Sequence, residues 1–141
     1  MAAKKPRLPI DPQKIFNSAG MFHRSANTLY TTRDDEDRHL HILPSYVLYA
    51  FSLELYFKCI IWLDSKRVAE GHDLLELYKS IGLQNKERLK QLYAESVRHD
   101  LDKRKQLDRQ MEQITGKKIP NLEDLEAVLG ASKNAFKQLR Y

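Results

Sequence analysis

The chain has 141 residues, one cysteine and a formal net charge of +5. That length accommodates one ordinary domain, which buries roughly 68–70% of its unfolded surface and so needs no disulfide or metal staple. The single cysteine, Cys59, excludes an internal disulfide and fits a reducing, cytoplasmic setting, while the positive charge permits polyanion binding without requiring it.

Residues 1–10 carry Lys4, Lys5, Arg7 and two prolines with no apolar segment after them. They read as a flexible basic arm and not as a signal peptide, ahead of a single domain over 11–141. Asp11 and Pro12 form an N-cap followed by proline at the first helical position. Ile15, Ala19, Phe22, Ala26 and Leu29 then recur at helical spacing, predicting a first helix that ends near Tyr30–Thr32. The charge-dense stretch Arg33–His41 reads as a loop or the frayed end of a helix, and Pro44 as the start of a second helix over about Ser45–Asp64.

That second helix is apolar on nearly every side, which predicts that other helices surround it. The run Ile42–Leu63 is long enough to span a bilayer. Glu54 and Lys58 interrupt its middle, however, and each costs roughly 2.5–3.5 kcal/mol at a bilayer centre, so a core helix and no membrane contact are expected. Asp73 and Glu76 have the spacing of a capping box for a third helix, and Gly82 reads as its C′ stop. A fourth helix follows over about Asn85–Thr115, with a possible break near Asp100–Lys103. From Gln84 to Lys118 there are ten Lys/Arg against six Asp/Glu, so most of the net charge lies there. Gly116–Pro120 reads as a turn and Asn121 as the cap of a last helix carrying Leu122, Leu125, Val128, Leu129, Phe136 and Leu139. The sum is an all-α antiparallel bundle of about five helices.

Three segments carry a family likeness: AFSLELYFKCII from Ala50, GHDLLELY from Gly71, and FKQLRY from Phe136 to Tyr141. They resemble the signature of bacterial HEPN (higher eukaryotes and prokaryotes nucleotide-binding) domains. The resemblance covers the second and third helices and the last turn. It implies an antiparallel bundle, usually a homodimer, in a superfamily tied to RNA cleavage, toxin–antitoxin pairs and phage defence. Many members are inert and bind RNA, nucleotides or partner proteins.

Active members carry Arg-x(4–6)-His on a late helix, where a cation stabilises charge on phosphate and an imidazole moves protons. Here Arg98 directly precedes His99, and the spacing recurs only outside that helix, as Arg33-x5-His39 and Arg67-x4-His72. The resemblance therefore implies a non-catalytic module. A metal-independent ribonuclease using one of those displaced pairs and a purely structural interaction protein, such as half of a toxin–antitoxin pair with an antitoxin-like partner, are the alternatives. Glu54 and Lys58 sit at i,i+4 in the favoured order. They either pair at a seam of the bundle or join His72 in a polar, ligand-binding pocket. Arg98 and Arg104, with Lys103, Lys105 and Arg109, form a basic face suited to phosphates. Arg140 either packs on the bundle or faces a dimer cleft. His39 and His41 lack a third ligand, and no metal or cofactor is expected.

Overall fold

A computed structural model describes residues 10–31, 38–99, 101–117 and 124–139; the side chains of 38, 39, 101–104, 107, 108, 111 and 133–139 lie outside that description. Every regular element among the described residues is a helix: α1 Pro12–Tyr30, α2 Arg38–Ser65, α3 Leu74–Lys79, α4 Leu83–His99, α5 Leu101–Thr115 and α6 Leu125–Leu139. Asp100, between α4 and α5, lies outside the described residues, and the rest of the stretch where a break was expected, residues 101–103, is helix.

The start of α1 follows its sequence, with the Asp11 carboxylate accepting from the Gln13 N–H at 3.0 Å. α1 and α2 form an antiparallel hairpin. Pro12 faces Cys59, Phe16 faces Tyr56, Ala19 faces Ser52 and Asn27 faces Tyr49, so one helix rises as the other falls. Ala19 and Ala26 are fully buried, and their small side chains let the two backbones approach. Ser52 Oγ uses that closeness to donate to the Ala19 carbonyl at 2.8 Å. Phe16–Tyr56 packs edge-on at 5.5 Å, and Phe22–Phe51 stacks at 6.0 Å.

Three expectations about boundaries are corrected. Pro44 does not start α2: the helix already runs from Arg38, so residues 38–41 belong to the end of a helix, while 33–37 lie outside the described residues. Proline removes one backbone donor, that to the Leu40 carbonyl, and a helix this long tolerates the loss. Ser45 Oγ adds a bond to the Ile42 carbonyl at 2.6 Å. Gly82 does not end α3. That helix stops at Lys79 with Ser80 as C-cap, and Gly82 precedes α4, which starts at Leu83 and not Asn85. The cap of α6 is Asp124, whose carboxylate accepts from Glu126 and Ala127 N–H at 3.1 and 3.4 Å. Asn121 and Leu122 lie outside the described residues.

The core gathers at the C-terminal half of α2, where Phe57 and Ile61 meet Leu74, Leu77 and Tyr78 of α3, Ile81, and Leu129 of α6. Burying each such side chain contributes roughly 1.5–3 kcal/mol. Tyr78 is fully buried, and its hydroxyl donates to the Lys86 carbonyl at 3.3 Å, tying α3 to α4. α3 and α6 thus cover α2 over its C-terminal half, whereas in the N-terminal half α1 packs on Tyr49 and Phe51 while Leu40, Leu43 and Tyr46 remain exposed. By length and composition Leu40–Ser65 could cross a membrane, and 28% of its most apolar window is buried.

Candidate functional site

Glu54 lies midway along α2 on the face turned away from α1, and it is 5% exposed. A carboxylate so buried requires donors. Lys58, one turn later, supplies one at 2.7 Å to Glu54 Oε1. The second comes from a residue 18 positions away, His72, whose Nδ1 stands 2.8 Å from the same oxygen. A carboxylate only accepts, so Nδ1 carries the hydrogen, and the neutral ring then presents Nε2 as an acceptor. The His72 side chain is 64% exposed, so that edge of the ring can reach solvent.

The backbone between α2 and α3 explains how His72 returns to α2. Lys66 closes α2 in the left-handed region at φ 55, with its N–H donating to the Trp62 carbonyl at 2.8 Å. Gly71 then turns the chain at φ 88, which glycine adopts without strain. The next residue reaches Glu54. The one after it, Asp73, caps α3 by accepting from Leu75 and Glu76 N–H at 3.0 and 3.3 Å. Glu76 itself pairs with Lys79 at 3.3 Å. All three residues of the GHD motif thus hold the fold: Gly71 turns the chain, His72 clasps the loop to α2 and Asp73 caps α3.

Beside this loop lies a cleft of about 390 Å³ whose wall includes Arg67, Glu70, Asp73 and Glu76. Three carboxylates around one guanidinium oppose a phosphate there. Arg67 is exposed on the loop. Arg98 is exposed in the last turn of α4, on a different element from Glu54, Lys58 and His72. Arg104 lies within α5 and His39 in the first turn of α2, with side chains outside the description, and Arg33 and Arg140 lie outside the described residues altogether. Of the expected site residues, then, the structure brings together Glu54, Lys58 and His72.

One polar constellation escaped the sequence reading. Asp64, at the end of α2, accepts from the Gly82 N–H at 3.0 Å and from Asn85 Nδ2 at 2.7 Å. It places a negative charge at the positive end of α4. A Cβ on Gly82 would stand 2.9 Å from Asp64 Oδ2, so glycine is what admits the carboxylate. The only signal in the sequence was a glycine ahead of a helix without a capping side chain of its own.

Burial pushes the Cys59 thiol up from its ordinary range, away from the thiolate that a nucleophile needs. Burial likewise raises the Tyr78 hydroxyl, helped by Glu126, Glu87 and Asp124, and the Tyr49 hydroxyl, helped by Tyr30. Among the described residues no three His, Cys, Asp or Glu side chains are grouped to hold a metal ion. No family model, curated protein or solved structure matches this chain.

Proposed function

We propose that this chain is a HEPN-like helical module that works as a dimer and binds RNA, a nucleotide or a partner protein without cleaving RNA. The observation that carries this reading is the engagement of Glu54, Lys58 and His72 with one another: the polar residues of the family-like segments hold a loop to a helix. The same pairing supports α2 as a core helix and not a membrane span, because the charges in mid-helix are matched within the protein. Nucleic acid would meet the open faces of α4 and α5, where Arg88, Arg98, Lys105 and Arg109 are exposed. Contact there would be electrostatic, so RNA retained on a filter should be released steeply as salt rises, and Arg98→Ala with Arg109→Ala should flatten that dependence. Failure to retain any RNA at low salt would remove the RNA version of the proposal.

A second reading, a metal-independent ribonuclease, is favoured by one feature: an imidazole oriented through Nδ1 by a buried carboxylate, with its other edge accessible. Its cation would be Arg67 on the same loop, acting against the three carboxylates beside it. Incubation with total RNA in EDTA tests it. A wild-type protein that degrades RNA no faster than His72→Ala excludes that role.

A further inference from the structure

Leu43, Ala50 and Phe57 follow one another at seven-residue spacing and so share one stripe of α2. At Phe57 this stripe is buried in the core, and Ala50 packs against that core. At Leu43 it is open to solvent: Leu43 is 50% exposed and its neighbour Leu40 58%. The same helix face therefore runs out of the core into solvent without changing its chemistry.

We propose that this open end of the stripe, centred on Leu43, is a seam on which a second copy of the chain docks, α2 against α2 about a two-fold axis. The inference rests on the dimeric reading above and names the face that serves it.

Charge selects the occupant. From Leu40 to Leu53 the chain contains no Asp, Glu, Lys or Arg, in a protein with 24 basic and 19 acidic residues and a net charge of +5. Two copies repel each other wherever basic surfaces meet, but not along this run. An isologous contact sets each residue near its own equivalent, so a patch free of formal charge is suited to it. A basic or acidic partner, by contrast, finds no counter-charge there. Size agrees with a reversible contact. Leu40, Leu43 and Tyr46 keep 58%, 50% and 38% of their surface exposed, a patch at the low end of what a specific, transient interface covers.

The test is the mass of the full chain by sedimentation across a wide concentration range, with Leu43→Glu and Leu83→Glu beside the wild type. Leu83 is more exposed than Leu43 and lies on α4, so it serves as the control. The wild type and Leu83→Glu are expected to dimerise alike, and Leu43→Glu to dimerise roughly thirtyfold or more weakly, as for loss of a central interface residue. Leu43→Cys in a Cys59→Ala background should cross-link to itself with a short bismaleimide, which decides the matter even if Leu43→Glu fails to fold. A wild-type dimer that neither weakens in Leu43→Glu nor cross-links at Leu43→Cys overturns the seam and leaves the dimeric reading intact. A wild type that stays monomeric at every concentration overturns both.

Discussion

Lys58 and His72 share a single acceptor, Glu54 Oε1, at 2.7 and 2.8 Å. Removing them one at a time and then together measures how that oxygen is held. Lys58→Met keeps the aliphatic stem and deletes the ammonium. The Lys58 and Glu54 side chains are 21% and 7% exposed, so the pair is largely but not wholly dry. Breaking a fully buried pair costs about 3–5 kcal/mol, and discounting for the water that reaches Lys58 leaves about 2 kcal/mol. His72→Ala costs less, about 1 kcal/mol, because most of the ring is already in solvent. Either single variant leaves Glu54 one donor. The double variant leaves a buried carboxylate without those two donors, adding about 1 kcal/mol, for a total near 4 kcal/mol and not 3. Urea unfolding followed by far-ultraviolet circular dichroism reads these differences. At about 4 °C per kcal/mol for a chain of this size, thermal melts provide the check. Strict additivity within ~0.3 kcal/mol would refute the shared-acceptor account. So would a Lys58→Met variant no less stable than Lys90→Met, whose ammonium is exposed and stands 3.8 Å from Glu126.

Two glycines are expected to respond to alanine with opposite sign in the same unfolding assay. Gly82→Ala pushes Asp64 out of its bonds to Gly82 and Asn85 and should destabilise by about 1–2 kcal/mol, whereas Gly20→Ala places its Cβ at ordinary distances of 3.6 and 3.7 Å inside α1 and should stabilise by about 0.5–1 kcal/mol. Lys66→Gly relieves a left-handed residue at the end of α2 and should stabilise by about 0.5–1 kcal/mol, seen as a higher urea midpoint at constant slope. Cys59, Tyr49 and Tyr78 all hold their protons more tightly when folded than when unfolded, so their contribution is present below their ordinary values and is lost as pH rises. Urea titrations at stepped pH should show stability falling above about 9, the ordinary thiol value, and further above 10, the ordinary tyrosine value. Native Cys59 should correspondingly react slowly with a thiol reagent at pH 8 and quickly in urea.

Much of the helical layout was legible in the residues. Asp11–Pro12 marks the start of α1 and Asp73 the start of α3, because caps act within one or two turns. The errors came where a local signal had two meanings. Pro44 reads as a helix start but sits inside α2, since a long helix on a large apolar face withstands one missing bond. Gly82 reads as a stop for α3 but is the space that Asp64 occupies. On the candidate site, i,i+4 spacing was enough to pair Glu54 with Lys58. The arrival of His72 needed Gly71 at φ 88, a backbone angle that the letters GHD permit without dictating.

An all-helical chain, a deeply apolar second helix and the polar pair in its middle all follow from the order of the residues. Periodicity records which residues share a face of one helix, and nothing more distant. What lies against each face is settled by the packing of the helices. That packing clasps His72 to Glu54 and Asp64 to Gly82 across 18 residues each, buries the stripe of α2 at Phe57, and leaves the same stripe open to solvent at Leu43. Burial is a property of neighbours: α3 and α6 are placed to cover one half of α2, and no pattern within α2 says which half that is.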